Sequence, residues 1–157
     1  MRKRMISPNP SSPSETGADW LPLERIALVE VTSEESEHPI EAALLPSAQI
    51  GWRAASLGEQ TIRLIFDTQQ SIQHIRLVFN EGEVERSQEF VLRWSSDGGQ
   101  TLHEIVRQQW NFSPDGATEE IEDYQVELSD VTQVELKIVP DRSGGDARAS
   151  LTEFRLA

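Results

Sequence analysis

Hydrophobic and polar positions alternate in short runs along most of this chain, which is the period-2 pattern of β-strands with one buried face. In the run at 60–67, for example, Ile62, Leu64 and Phe66 all fall on one face. We predict eight such strands, at residues 25–32, 60–67, 71–80, 88–94, 102–110, 120–128, 131–139 and 151–156. Short strands at this spacing, with little helix, predict an all-β antiparallel sandwich.

The segment Gln88 to Phe112 organises this prediction, because it contains two strand-like runs around a polar turn. The turn, Ser95 to Gly99, ends in two glycines, which accept the positive φ of a tight hairpin. We predict further short turns at 67–70 and 129–130 and a β-bulge near His74. One or two helical turns are predicted from Ile40 to Leu45, because Ser36 to Pro39 has the composition of a helix start.

The N-terminal segment differs from the rest of the chain. Residues 1–19 are rich in Pro and Ser and carry little to bury, which predicts a disordered tail. Residues 20–157 are then one folded domain, a size that suits a single core.

The order of the strands predicts where binding takes place. If consecutive strands alternate in direction, the long connections at 33–59, 81–87, 111–118 and 140–148 fall at one end of the sandwich. The short turns fall at the other end. Binding residues concentrate on long loops that a rigid scaffold holds. We therefore predict a binding site at the end that carries the long loops.

Composition narrows the classes of partner. The net charge of −13 argues against binding to the nucleic-acid backbone, and the chain contains no cysteine for disulfides or thiolate metal sites. No apolar run is long enough to span a bilayer, and Arg2-Lys3-Arg4 is followed by a Pro/Ser segment instead of an apolar signal core. We expect a cytoplasmic monomer that binds neither nucleic acid nor membrane.

Four stretches of the chain, in order, resemble the discoidin or coagulation-factor type C domains, which are galactose-binding-like jelly rolls. They are 33–44 with Gly51 to Ala55, the strand at 60–66, Val91 to Gly98 (VLRWSSDG) and Ala149 to Arg155 (ASLTEFR). The resemblance covers about residues 26–156. It implies an eight-stranded antiparallel jelly-roll β-sandwich that acts as a binding module, often for glycans and sometimes for proteins or phospholipid surfaces.

The resemblance also raises the question of a structural calcium ion. Many members bind it with an acidic loop before the tryptophan, whereas here residues 45–50 (LPSAQI) contain no carboxylate. Glu153 matches the family's C-terminal acidic position and is the one metal candidate. We assign no cofactor, and a calcium site stays open.

Seven residues on the predicted long-loop end are candidate ligand contacts, because aromatic faces stack on sugar rings and Arg, Asn and His bond to hydroxyls. They are Trp110, Asn111, Arg86, His38, Arg53, Arg142 and Arg148.

Each candidate has a structural alternative. Trp110 and Phe112 lie on one side of a strand and are also suited to packing on the core, which we favour for Phe112. Arg86 is suited to a surface ion pair with Glu83 or Glu85. His38 is suited to a helix start, and the loop 140–148 to internal ion pairs.

The sequence shows no pattern typical of catalysis. Its three histidines are far apart, and it contains no nucleophile elbow, phosphate-binding loop or dinucleotide fingerprint. We therefore predict a non-catalytic module that binds carbohydrate at the long-loop end. An intracellular protein-interaction module of the same fold is the alternative.

Overall fold

Two strands of 21 residues, β3 (Gln60–Asn80) and β6 (Glu119–Val139), determine the architecture. In the computed structural model, which describes residues 20–45 and 50–157, they pair antiparallel along their whole length. The register runs from Gln60 opposite Ile138 to Asn80 opposite Glu119. The fold has two layers of sheet, and each of these two strands contributes one half to each layer.

The β3–β6 pair bends in the middle and folds over itself. Its register shifts between Ile65 and His74, where the pairing is irregular. Opposite this stretch, Asp130 has a φ of 57°, and it is the one residue other than glycine with a positive φ in the described chain. The fold-over brings the Phe79 ring onto the Phe90 ring of the other layer, with centroids 5.3 Å apart. The predicted bulge near His74 is confirmed.

The predicted turns at 67–70 and 129–130 are corrected by this arrangement. We expected each to reverse the chain into a hairpin between neighbouring strands. Instead, both segments lie inside continuous strands, and residues 60–65 pair with 133–138, whereas 72–80 pair with 119–128. A short run of polar residues occurs at a turn and also at a corner, where a continuous strand bends. The two look alike in the sequence because both expose the backbone to water.

The first layer has the order β1–β3–β6–β4–β5, and in the second layer β8 pairs with the C-terminal half of β3. A separate two-stranded sheet joins β2 to β7. The remaining elements are α1 (Leu23–Ile26), β1 (Ala27–Val31), α2 (Glu41–Leu44), β2 (Trp52–Arg53), β4 (Arg86–Ser95), β5 (His103–Phe112), β7 (Ser150–Leu151) and β8 (Glu153–Leu156).

The central hairpin is confirmed as β4 paired with β5, with Arg86 opposite Phe112 and a register shift at Leu92. Its turn is held by Ser95, whose hydroxyl donates to Asp97 Oδ1 at 2.6 Å and accepts the N–H of Gly99 at 2.9 Å. Asp97 Oδ1 also accepts the N–H of Thr101, and these hydrogen bonds lower the pKa of Asp97 to about 2. The Ser-x-Asp-Gly pattern is thus a self-supporting turn.

The core lies between the two layers and is built from the alternating hydrophobic positions. Ile62, Leu64 and Leu136 in the first layer and Leu77 and Phe79 in the second have no exposed surface. Burying each such side chain contributes about 1.5–3 kcal/mol, as an upper estimate against an extended chain. Alternation along the strands therefore sets both the layers and their spacing.

The connection between β1 and β3 closes one side of the core. Its predicted helix is the single turn α2, which begins after Ile40, and Glu34 Oε2 accepts the N–H of Ile40 at 2.7 Å. Trp52 is buried beneath it and donates from its indole to the carbonyl of Ser33. Of the described helices, none is long and apolar enough to cross a bilayer. The predicted tail, 1–19, lies outside the described residues.

Candidate functional site: a polar cleft at the loop rim

The long connections meet at one end of the sandwich, as the alternation of strands predicts. Residues 31, 60, 86, 112 and 139 are strand ends at this end of the first layer, and residues 80 and 119 are strand ends in the second. We call this end the loop rim. Two of its loops are joined where the Glu81 N–H donates to the Thr118 carbonyl at 2.8 Å, and the loop after β6 is tied to β4 where the Arg142 N–H donates to the Ser87 carbonyl at 2.7 Å.

An open cleft with a volume of about 470 Å³ lies between the loops of the rim. We call it the rim cleft. Its lining residues are mostly polar and come from three segments of the chain, each a strand end or the loop next to it: Glu85, Arg86, Ser87, Asn111, Phe112, Ser113, Asp141 and Ser143. Hydroxyls, an amide and carboxylates are the groups that exchange hydrogen bonds with polyols.

Arg86 supports the back of the rim cleft from inside the protein. Its side chain is fully buried, and its Nε bonds Glu81 Oε1 at 2.8 Å. Its Nη1 donates to Gln88 Oε1 and to the Pro140 carbonyl, and its guanidinium lies 4.8 Å from the centre of the Phe112 ring. The alternative of a surface ion pair with Glu83 or Glu85 is therefore wrong. The true pair is buried and includes a different carboxylate.

Glu81 is held as the ionised partner of this buried pair. Burial alone raises the pKa of Glu81, but the bond from Arg86 and the backbone N–H groups of Glu83 and Val84 outweigh it. The net pKa of Glu81 is below its ordinary value. Arg86 thus ties the 81–85 loop to the strand ends and to Pro140.

The three residues at the end of β5 take different positions. Phe112 is buried, as we favoured, and Asn111 is exposed on the opposite side at the rim cleft. Trp110 is half-buried against the core, and its indole nitrogen is buried without a hydrogen-bond partner among the described residues. Trp110 is not among the described residues that line the cleft, and its ring packs against the core, so its contact with a ligand stays a prediction.

Three of the remaining candidates, His38, Arg53 and Arg148, form a second group. Arg53 bonds Glu35 at 3.3 Å and Arg148 approaches the same carboxylate at 3.7 Å, while the His38 carbonyl accepts the N–H of Arg53. Glu35 is therefore the centre of this group. No hydrogen bond or ion pair among the described residues joins Glu35 to Arg86 or Asn111, so the seven predicted residues do not form one constellation.

The loop 140–148 links the two groups but is not closed by internal ion pairs, as its structural alternative required. Arg142 reaches out to Glu89 at 3.4 Å, and Arg148 to Glu35. The internal bonds of the loop come from Asp141, whose Oδ1 accepts both the N–H and the hydroxyl of Ser143. Burial alone raises the pKa of Asp141, but these bonds outweigh it and the net pKa is lowered.

No protein-family model and no curated protein sequence matches the chain. Solved structures do resemble it along nearly their whole length. The family 32 carbohydrate-binding module of NanJ from C. perfringens, solved in complex with galactose, superposes with a TM-score of 0.63 at 13% identity, covering 87% of this chain and 96% of that chain. The chain has the galactose-binding-like jelly-roll fold.

Two further jelly rolls of this kind are similar. The CBM32 of AlyQ in complex with 4,5-unsaturated mannuronic acid has a TM-score of 0.61 and 17% identity, over 84% of this chain and 95% of that chain. A pectin-binding carbohydrate-binding module has a TM-score of 0.58 and 19% identity, over 83% and 89%. At these identities the likeness establishes the fold that the discoidin resemblance implied, and with it the antiparallel sandwich.

The metal candidate Glu153 lies on an edge of the jelly roll and is engaged with protein. Its Oε2 accepts from Arg76 Nε at 3.2 Å. Within residues 20–45 and 50–157, no group of three or more His, Asp or Glu side chains is placed to hold a metal ion. Residues 46–49 of the loop compared with the family's calcium loop lie outside the described part.

Sequence reasoning missed a buried polar chain inside the jelly roll, next to the cleft. Gln88 donates to Glu120 Oε1 at 3.2 Å and accepts from Arg86, so this row of hydrogen-bonded side chains joins both layers. Burial raises the pKa of Glu120 to about 7, with a further contribution from Glu122. The signal was present, since Glu120 has the same parity as the inward-facing Tyr124, but a charged residue was not expected inside.

Asp141 was also missed, although Asp-x-Ser before two glycines is the composition of an Asx turn. Our prediction considered only the charged residues further along that loop. The structure shows that the compact turn at Asp141 shapes one wall of the cleft.

Proposed function

We propose that this jelly roll is a non-catalytic carbohydrate-binding module and that the rim cleft is its binding site. The observation that carries the proposal is the convergence of three chain segments at the loop rim into one open polar cleft, held from behind by the buried Arg86. A rigid support lowers the entropy cost of ordering the binding groups, which favours recognition of a weakly held, hydroxyl-rich ligand. The likeness to modules solved with sugars supports the same conclusion.

The exposed Asn111 is the residue on which we place the most direct contact. Its amide both donates and accepts, so it suits a pair of neighbouring hydroxyls. We expect Asn111→Ala to weaken sugar binding clearly while leaving the fold intact, because the side chain is exposed at the cleft. Gln100→Ala removes an exposed amide at the opposite end of the molecule and is the matched control.

Amide NMR shifts during titration with millimolar neutral hexoses test the proposal. We expect changes in residues 81–87, 111–118 and 140–148 and none in the turn from Ser95 to Thr101. Shifts that are absent from the rim, or that persist unchanged in Asn111→Ala, would contradict it.

A protein-interaction module remains the second candidate. The 81–85 loop combines carboxylates with Val84, a large hydrophobic side chain that is 48% exposed. Such a loop suits a basic partner with an apolar contact. A stoichiometric partner captured from native lysate and lost in Val84→Ser, together with no response to sugars, would favour this candidate. A cytoplasmic location is part of this proposal.

A further inference from the structure

The charge of the rim cleft indicates which class of sugar it accepts. Two carboxylates line it, Glu85 and Asp141, and the hydrogen bonds that Asp141 accepts lower its pKa below the ordinary value, which favours its charged form. Glu85 is exposed at the mouth of the cleft. Both charges therefore act on whatever enters.

The nearby cations do not cancel these two charges. Arg86 is the one cation among the lining residues, and it acts on Asp141 as well as on Glu81 at 2.8 Å, so one positive charge faces the three carboxylates of Glu81, Glu85 and Asp141. Arg142, the next residue after Asp141, is turned toward Glu89. The cleft is thus net negative on a chain that carries −13 overall, so the local and global fields have the same sign.

Arg86 supplies a second and independent indication of a ligand. Its Nη2 is buried and has no hydrogen-bond partner among the described residues, although Nε and Nη1 are fully engaged. An unused donor of this kind is costly unless something accepts from it. Because Arg86 stands behind the cleft, a hydroxyl of a bound sugar is a suitable acceptor, reached by a small movement of the wall.

We propose that the rim cleft selects an amino sugar with a free ammonium group, which Glu85 and Asp141 attract while a neighbouring hydroxyl accepts from Arg86. This inference rests on the proposed function. It separates the chain from the similar structure solved with 4,5-unsaturated mannuronic acid, because a sugar carboxylate would be repelled by the two carboxylates here.

Three sugars with one ring and different substituents test the inference. Galactosamine, N-acetylgalactosamine and galacturonic acid differ in charge from +1 through neutral to −1. We expect binding in that order of decreasing affinity, measured by amide NMR titration at slightly acidic pH. The preference for galactosamine should shrink as salt is added, because the charges are exposed to solvent.

Two charge-removing variants locate the effect. Glu85→Gln and Asp141→Asn should each weaken galactosamine binding roughly fivefold and N-acetylgalactosamine binding distinctly less, since each removes one partly exposed charge contact but keeps an oxygen that hydrogen-bonds to a hydroxyl. Asp141→Asn retains an oxygen that accepts from Ser143. Glu127→Gln, an exposed carboxylate near the opposite end, is the control.

The outcomes separate the two proposals. If N-acetylgalactosamine binds as well as galactosamine, or galacturonic acid binds best, the charge inference fails while sugar binding stands. If none of the three sugars shifts the rim, the proposed function itself fails. If Glu127→Gln weakens galactosamine binding as much as Asp141→Asn does, the affinity comes from the general attraction of an acidic protein for a cation. That result also overturns the inference.

Discussion

At the residue scale, Glu120 is the side chain whose environment most contradicts its chemistry. It is an acid with no exposed surface, and its Oε2 has no partner in the described chain. A pKa raised from 4.5 to about 7 means that the folded protein holds a proton that the unfolded chain releases. Stability from this group is present below pH 4.5 and is lost as the pH rises through about 7.

We therefore expect the free energy of unfolding to fall by up to about 3 kcal/mol between about pH 5 and pH 8. Glu120→Gln should remove most of this decline, because a neutral amide keeps an oxygen for Gln88. Urea unfolding across the pH range measures it, with the exposed Glu119→Gln as control. An equally steep decline in Glu120→Gln would assign the effect to another group.

Arg86 presents the opposite case of a buried charge that is paired with a carboxylate. Arg86→Met keeps much of the side-chain volume but leaves Glu81 and Gln88 without their partner, which should cost roughly 3–5 kcal/mol. Urea unfolding at neutral pH checks the loss. Arg107→Met, which breaks ion pairs on the exposed surface, should cost much less. Similar losses in the free energy of unfolding of the two variants would show that burial does not make the Arg86 ion pair more important for stability.

At the scale of elements, alternation of hydrophobic residues predicted nearly every strand, but not how the strands connect. The run from Gln60 to Asn80 was divided at residues 67–70, because polar residues there looked like a turn. The hydrophobic pattern shows which face of a strand is buried, and that face is the same before and after a corner. Whether the chain reverses beside itself or bends over the core depends on pairing with β6, which is far away in sequence.

The corner opposite this stretch yields a prediction for Asp130, whose φ is 57°. Left-handed backbone is accessible to Asn, Asp and Gly but costs a β-branched residue about 1–2 kcal/mol. We expect Asp130→Val to destabilise the protein by that amount, measured by thermal unfolding. Asp130→Gly should be neutral or slightly stabilising, because glycine accepts a positive φ. Asp130 is exposed, so neither substitution removes a buried side chain. Equal stability of the Val and Gly variants would show that the corner relaxes freely.

At the scale of the whole molecule, the loop rim was predictable and the cleft was not. The end that carries the long loops follows from strand parity, which survives the change from hairpin turns to corners because both reverse the direction of the chain. The positions of single side chains do not follow from parity. Arg86 was expected outside and is buried, whereas Asn111 is exposed at the cleft. Burial at a rim is decided by contacts between loops, which no local pattern encodes.

The two long strands also determine how the molecule unfolds. Because β3 and β6 each contribute to both layers, neither layer can lose its pairing without breaking strands of the other. We expect a single cooperative transition in urea, with far-UV circular dichroism and tryptophan fluorescence giving the same midpoint. Trp52 in the core and Trp94 on β4 report on packing, while dichroism reports on the sheets. Separate midpoints would mean that the second layer, which includes β8, opens by itself.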